Sequence, residues 1–148
     1  MAKYSGRDVS FQIPNDWQDR TIAAFAAPLK PKQTVAPNLV LTRDMVSGNE
    51  PAGAYADKQL VELAKRLEAF NLVDRRESLV AGRPAVDLIF TWRGANGTIK
   101  QKQTFIATGA GTVLTFVATA LLTEFSAMEA IFQAILDSIE FPAGNNGR

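Results

Sequence analysis

The fold of this chain is decided by an uncharged stretch of 21 residues, Gln103-Thr-Phe-Ile-Ala-Thr-Gly-Ala-Gly-Thr-Val-Leu-Thr-Phe-Val-Ala-Thr-Ala-Leu-Leu-Thr123. Six of these residues are Thr, and Gly109 and Gly111 mark a turn near the middle. A stretch of this length could span a bilayer as a helix. However, Thr and other β-branched residues favour strands and glycine favours turns, so the composition predicts two antiparallel strands.

The second of these strands, Thr112 to Leu122, is apolar or nearly so on both of its faces. An antiparallel strand with one face in water should alternate between apolar and polar residues. Because this strand barely alternates, both of its faces must be covered. The cover is either the protein's own helices or something that the protein binds.

Other alternating or β-branched segments predict further strands. They are Val9–Ile13, Thr21–Phe25, Asn38–Arg43, Asn71–Val80, Ala85–Arg93 and Thr98–Thr108. We expect the first two to pair as a hairpin, and we expect Asn96-Gly97 to close another, because Asn-Gly tolerates the positive φ of a type I′ turn.

Two amphipathic helices complete the prediction. One covers about Tyr55 to Phe70, with Leu60, Leu63 and Leu67 on one stripe. The other starts at Ser126, three residues before Glu129, which is a capping-box pattern. The sequence therefore predicts an α+β fold in which an antiparallel sheet of about six or seven strands is flanked by two helices. Residues 1–141 form a single domain, and residues 142–148 form a flexible tail.

The composition of the 148 residues excludes several kinds of site. The chain has no His and no Cys, so Ser-His-Asp and Cys-His catalysis and the usual zinc sites are absent. No spacing of carboxylates is diagnostic either. We expect no enzyme activity, no metal and no cofactor. A net charge of +1 predicts no binding of nucleic acid. The polar start, Met1 to Asp8, predicts no secretory signal, so we expect a cytoplasmic protein without direct bilayer insertion.

The apolar surface of the predicted strands exceeds what two helices cover. We expect the second helix to blanket one face of the sheet and the first to cover only part of the other. The remainder is an apolar groove with small uncharged polar groups: Thr42, Gln59, Thr91, Gln101 and Gln103. Strand packing explains each of these residues singly. Together they are what a receptor for an apolar helix needs, because amides meet polar groups of the helix without burying a charge.

Several motifs occur in an order that is similar to the DcrB-like family over nearly the whole chain. They are Phe11-Gln-Ile-Pro-Asn-Asp-Trp17, Pro37-Asn-Leu-Val-Leu-Thr-Arg-Asp44, Val80-Ala-Gly-Arg-Pro84 and Phe132-Gln-Ala-Ile-Leu-Asp-Ser138. The resemblance implies a PsbP-like fold, an antiparallel sheet flanked by helices. Cytoplasmic members of the family include the Eag-type chaperones of type VI secretion, which this chain resembles in length and layout.

The Eag-type chaperones bind the N-terminal transmembrane segments of secreted effectors and shield them from water. They help to load the effector onto the VgrG spike, and they act as homodimers. The resemblance therefore implies an effector chaperone with these partners and no catalytic residue. The alternative is a PsbP-like protein-interaction module, such as an immunity or scaffold protein, without helix-chaperone activity. A fully packed, closed sheet would favour the alternative.

The resemblance implies an effector-binding surface on strands and on the first helix. We assign to it Ile22, Ala24, Val40, Thr42, Gln59, Leu63, Leu67, Ile89, Thr91, Ile99, Gln101, Gln103 and Phe105. Alternation along residues 98–108 leaves two candidate faces. We favour the face with Ile99, Gln101, Gln103 and Phe105, because the other face carries Lys100 and Lys102, and two lysines suit an apolar ligand poorly.

Overall fold

The computed structural model describes residues 1–142 and contains two antiparallel sheets and two helices. The strands are β1 (Ala2–Ser5), β2 (Ser10–Ile13), β3 (Ala23–Ala26), β4 (Asn38–Met45), β5 (Asn71–Val80), β6 (Arg83–Gly94), β7 (Gly97–Ala107) and β8 (Thr112–Leu121). The helices are α1 (Ala52–Arg66) and α2 (Leu122–Asp137). The predicted α+β class, with a six-stranded sheet and two helices, is confirmed.

The main sheet has the strand order β3-β4-β8-β7-β6-β5, and β1 and β2 form a separate two-stranded sheet. The uncharged stretch Gln103–Thr123 forms the second half of β7, all of β8 and the start of α2. These two strands occupy the centre of the sheet, which explains why β8 shows so little alternation. Within residues 1–142, no helix has both the length and the apolar character needed to cross a membrane.

Each helix covers one face of the sheet, and we name the faces after them. On the α1 face, α1 packs over β6 and β7 against Val86, Leu88, Phe90 and Phe105. On the α2 face, α2 packs over β8 and β7, with Ala118, Ala120, Phe125 and Phe132 forming a second cluster. Each helix therefore covers about two strands of a sheet that has six.

The prediction that the second helix blankets its face is wrong, because α2 leaves the part over β5 and β6 open. A cavity of about 470 Å³ lies there. Charged side chains line it, namely Asp74, Arg76, Lys100, Lys102 and Glu129. Asp87 of β6 is not part of the lining: it is only 5% exposed and accepts a hydrogen bond from Thr104 Oγ1 at 2.7 Å. Its carboxylate also lies 3.7 Å from Arg76 Nε and 3.9 Å from Lys102 Nζ. This paired charge makes the open part of the α2 face polar.

The expected hairpin between the first two predicted strands does not form. β2 pairs with β1, placing Tyr4 opposite Phe11, and β3 pairs with β4. The sequence predicts no strand before Val9, yet residues 2–5 form β1, and Gly6 N–H donates to the carbonyl of Val9 at 2.8 Å to close a tight turn between β1 and β2. The backbone groups of β2 that the prediction pairs with β3 therefore bond to β1 instead.

Both helix boundaries differ from the prediction. α2 starts directly after β8, at Leu122, so Ser126 and Glu129 lie inside the helix and no side-chain cap forms. α1 ends at Arg66 because the chain turns at Ala69, which has a φ of 54°. Phe70 still packs on Phe90, with ring centroids 5.2 Å apart. Most of the expected tail, residues 143–148, lies outside the described residues.

The first prediction concerns the core beneath α1. Leu88 is fully buried, whereas Leu79 on the edge strand β5 is 73% exposed. We expect Leu88→Ala to lower the free energy of unfolding by about 2–5 kcal/mol, because it leaves a cavity in a packed interior. The matched control Leu79→Ala should change it by less than about 0.5 kcal/mol. Urea denaturation followed by circular dichroism measures both, and equal losses would contradict this account of the core.

Candidate functional site

The α1 face has an uncovered region beside α1, over β3, β4 and β8. Sheet register defines it, because directly opposed residues of an antiparallel sheet point to the same face. We call this region the open strip, and its residues are Ala24, Val40, Thr42, Gln101, Gln103 and Val117; Thr115 and Thr119 point to the same face but are buried. None of these side chains carries a charge.

One row of opposed residues crosses the open strip at its middle. Ala24 lies opposite Val40, Val40 opposite Val117, and Val117 opposite Gln103. Ala24 is exposed and the other three side chains are half-buried. Neighbouring strands lie about 4.8 Å apart, so the row is about 14 Å wide. An α-helix with its side chains is about 10–12 Å in diameter, so the strip is wide enough for one helix.

The edge of α1 that faces the open strip is fixed by Tyr55. Its hydroxyl donates a hydrogen bond to Oδ2 of Asp44 on β4 at 2.8 Å. Burial, and then this carboxylate, raise the pKa of Tyr55, so the phenol stays protonated. Gln59 lies one helical turn after Tyr55 and therefore on the same edge of α1. Asp57, further round the helix, instead pairs with Arg75 of β5 at 3.0 Å.

Gln101 is held in place by two hydrogen bonds. Trp92 Nε1 donates to its Oε1 at 3.2 Å, and its Nε2 donates to Oγ1 of Thr119 at 2.9 Å. The bonds link β6, β7 and β8 across the α1 face. Gln101 is therefore a structural part of the floor, with one amide hydrogen left over for another acceptor.

Gln103 and Gln59 differ from Gln101 because their side chains have no hydrogen-bond partner among residues 1–142. Both are half-buried, Gln103 on β7 beside Val117 and Gln59 on α1. An amide has two donors and an acceptor, and a guest that covered these half-exposed amides would have to offer them hydrogen-bond partners. The arrangement suits a guest that is mostly apolar and offers a few hydroxyl or carbonyl groups.

The structure brings together part of the predicted effector-binding set. Ala24, Val40, Thr42, Gln101 and Gln103 lie in the open strip, Gln59 lies at its rim, and Ile22 is exposed just before β3. Other members are part of the core: Leu63, Ile99 and Phe105 are buried, and Leu67 packs against the cluster beneath α1. Of the two candidate faces of residues 98–108, the one with Ile99, Gln101, Gln103 and Phe105 lies on the α1 face, and its role in effector binding stays a prediction.

Ile89 and Thr91 do not belong with the rest of the predicted set. Ile89 lies opposite Lys102 and Thr91 opposite Lys100, which places both on the α2 face. Lys100 Nζ stands 5.0 Å from the ring centroid of Phe125, a residue of α2. Successive residues of a strand point to opposite faces. Because Leu88 and Phe90 of β6 lie on the α1 face beneath the helix, Ile89 and Thr91 must lie on the α2 face.

The prediction missed the β8 part of the open strip, which is Val117, flanked on the same face by the buried Thr115 and Thr119. The sequence contained the signal. The Gly109–Gly111 turn joins β7 to β8, and counting back from it places Val117 opposite Gln103. It also missed Tyr55, whose bond to Asp44 depends on how α1 lies across the sheet and cannot be counted from the sequence.

The family of the chain follows from comparison with known proteins. The family model of DcrB matches residues 8–138. The chain belongs to the DcrB family. A curated relative from Pseudomonas aeruginosa, named Effector EagT6, is 29% identical over 119 residues, which cover 80% of this chain and 82% of that protein. The resemblance read from the four motifs is thus confirmed.

Solved structures share the fold. A Pseudomonas aeruginosa protein of unknown function, PA94, described as a putative regulator, superposes with a TM-score of 0.80 at 25% identity over 96% of this chain and 97% of that one. LpqN of Mycobacterium tuberculosis gives 0.57 at 16% identity, covering 82% and 84%. A cyanobacterial PsbP (CyanoP) from Synechocystis gives 0.56 at 12%, covering 95% and 92%. The PsbP-like fold is therefore confirmed.

Two adjacent glutamines of the open strip should respond differently to the same substitution. We expect Gln101→Leu to lower the free energy of unfolding by about 1–3 kcal/mol, because it leaves Trp92 Nε1 and Thr119 Oγ1 without their partner. Gln103→Leu removes no hydrogen bond and should be neutral or slightly stabilising. Urea denaturation of the two variants checks this, and an equal loss in both would contradict the structural role given to Gln101.

Proposed function

We propose that this protein is a chaperone or adaptor that binds and shields apolar transmembrane helices of a type VI secretion effector, and that it aids loading of that effector onto the VgrG spike. One observation carries the proposal: an uncharged strip of sheet, made of aliphatic, hydroxyl and amide side chains and about one helix wide, is left open beside α1. The protein acts in the cytoplasm, before secretion, as a binding protein and not as an enzyme.

The chemistry of the open strip suits a membrane helix better than a soluble one. A soluble amphipathic helix buries one stripe and keeps its charged face in water. A transmembrane helix is apolar all round and packs through van der Waals contact and a few hydrogen bonds from Ser, Thr or the backbone. Val40 and Val117 supply the apolar contact. Gln59 and Gln103, which lack internal partners, supply the hydrogen bonds.

The strength of the contact fits a carrier that must release its guest. A helix that buries on the order of 400 Å² of apolar surface gains about 10 kcal/mol. Association costs about 4–15 kcal/mol in lost motion, so the net affinity of one strip is moderate. A moderate affinity is enough to compete with aggregation of the effector and still permits transfer to another protein or to a membrane.

The link to type VI secretion rests on relatedness. The curated relative carries the name Effector EagT6, and the motif pattern resembles the Eag-type chaperones. From these we infer that the guest is the N-terminal transmembrane segment of an effector. The VgrG spike is then an indirect partner, and the working unit is a homodimer.

Co-expression with the effector tests the proposal. The effector with its N-terminal transmembrane segment is produced with and without this protein, and its soluble amount is measured by quantitative blotting. We expect solubility to require this protein, and we expect a truncated effector lacking the segment to be soluble alone and to bind no longer. Binding that survives deletion of all transmembrane segments would overturn helix shielding and favour a module that docks on a folded protein.

A single charge in the open strip gives the sharper test. Gln103→Glu keeps the size of the side chain but places a carboxylate beneath the guest, where it loses its hydration. We expect the apparent affinity for a transmembrane segment held in detergent to fall about tenfold or more, equivalent to at least 1.4 kcal/mol. The matched control is Gln18→Glu, on the exposed connection before β3, which should bind like the wild type.

Unfolding curves of the two glutamate variants must be compared first, so that a folding defect is not read as a binding defect. If Gln103→Glu folds normally and binds as well as Gln18→Glu, the open strip is not the binding surface.

A further inference from the structure

The two ends of the open strip coincide with the two ends of α1. The N-terminal end of α1 is held beside Asp44, near the last residue of β4, by the hydrogen bond from Tyr55. The opposite end is held where Arg93 N–H donates to the carbonyl of Glu68, just after α1, at 2.8 Å. Sheet register places Arg93 at the same end of the sheet as Asn38, the first residue of β4. A helix that fills the strip beside α1 therefore passes Asp44 at one end and the last turn of α1 at the other.

One edge of α1 faces the open strip along its whole length. An α-helix turns by about 100° per residue, so steps of four and of seven residues return to nearly the same direction. Tyr55 and Gln59 lie on this edge, and Arg66 lies on it two turns after Gln59. The opposite edge of α1 carries Asp57, which pairs with Arg75 of β5. Arg66 is thus the last side chain of α1 on the side of the strip.

The open strip ends at a carboxylate on one side and at a guanidinium on the other. Asp44 and Arg66 are both exposed, and neither forms an ion pair with another residue of the range 1–142. Other charged groups near the two ends are paired with one another: Lys58 with Glu50, Lys65 with Glu62, and Arg93 with Glu68. Asp44 and Arg66 are therefore unpaired charges of opposite sign at opposite ends of an uncharged surface.

We propose that Asp44 and Arg66 determine the direction in which a guest helix lies in the open strip. The guest is an apolar helix with Lys or Arg at one end and Asp or Glu at the other. Its cationic end lies at Asp44 and its anionic end lies at Arg66. This inference rests on the proposed function, because it concerns the same guest in the same strip.

The distance between the two charges suits a helix of membrane length. From Tyr55 to Arg66, α1 rises about 16 Å at 1.5 Å per residue. An apolar helix of about 20 residues is about 30 Å long, so a centred guest extends about 7 Å beyond each charge. Lys and Arg side chains bridge such a distance by lying back along apolar surface. A Lys or Arg of the guest therefore reaches Asp44, and Arg66 reaches a carboxylate of the guest.

Formal charges, and not the backbone of the guest, decide the direction. The dipole of a helix is equivalent to only about half a charge at each end. In a guest that runs parallel to α1, this dipole is favoured by Asp44 and Arg66 but disfavoured by the parallel dipole of α1. Exchange of the charged residues between the two ends of a guest should therefore turn the guest end for end.

Cross-linking at the two ends of the open strip measures the direction, because the chain has no Cys and an introduced thiol is unique. Ile22→Cys lies towards the Asp44 end and Ala26→Cys lies opposite Asn38, and both positions are exposed. The guest is a synthetic helix held in detergent, with a palindromic core of Leu, Ala and Ser, two Lys at its N-terminal end, two Glu at its C-terminal end and one N-terminal Cys. After treatment with a short bismaleimide, we expect at least fivefold more product from Ile22→Cys than from Ala26→Cys by mass spectrometry.

Three comparisons isolate the role of the two charges. A guest with the Glu pair first and the Lys pair last should reverse the ratio of products. The double variant Asp44→Asn with Arg66→Gln should bring both ratios close to one, while both guests still bind. Asn keeps an acceptor for the Tyr55 hydroxyl, so the hydrogen bond that holds α1 is preserved. The matched control is Asp57→Asn with Lys65→Gln, which removes one charge of each sign elsewhere on α1 and should leave the ratios unchanged.

Two outcomes would overturn the inference while leaving the proposed function intact. They are binding of both guests without a preferred direction, and wild-type ratios in the double variant. The second would show that Asp44 and Arg66 serve only the stability of α1, which unfolding curves of the variants measure separately. Failure of both guests to bind would overturn the proposed function, and this inference with it.

Discussion

The structure depends on a mismatch of width between helices and sheet. Six strands about 4.8 Å apart form a layer about 24 Å across, while one helix covers about 10 Å of it. The chain has one helix for each face, so more than half of each face must be covered by something else or be polar enough to face water. α1 sits over β6 and β7, and α2 sits over β8 and β7. Both helices pack over the central strand β7, and α1 also reaches Val113 of β8. Open regions therefore lie at opposite ends of the two faces.

The two open regions differ in the chemistry of their side chains. On the α2 face, over β5 and β6, charged side chains such as Asp74, Arg76 and Lys102 line the open region, and the two cations also pair with the buried Asp87. Water can solvate this region, and it needs no partner. On the α1 face, over β3, β4 and β8, the side chains are Val, Ala, Thr and Gln, without a charge. Ionic side chains therefore line the open region of the α2 face and are absent from the open strip of the α1 face, which is why the open strip is the better candidate for binding.

The sequence predicted what depends on local pattern. The stretch Gln103–Thr123 was correctly interpreted as two strands, Asn71–Val80 matches β5, and alternation along β7 placed Gln101 and Gln103 on one face. The prediction failed where a tertiary contact decides. Ser126 looks like a helix cap, yet α2 starts four residues earlier because the chain enters the helix directly from β8. Ile89 and Thr91 look like groove residues, yet the register of β6 turns them to the other face. No local pattern reveals that β2 pairs with the segment before it instead of the one after it.

The lack of ionisable groups in the open strip has a consequence for how a bound helix would leave. His and Cys are absent from the whole sequence, so protonation near neutral pH and thiol oxidation are not available as triggers. No carboxylate or ammonium lies within the strip itself, so ionic strength would alter its affinity for a bound helix only slightly. Discharge of the cargo must then come from outside, through a stronger competing surface or a pull on the cargo itself. Such a carrier would bind the helix equally tightly under neutral, mildly acidic and oxidising conditions, until another molecule displaced it.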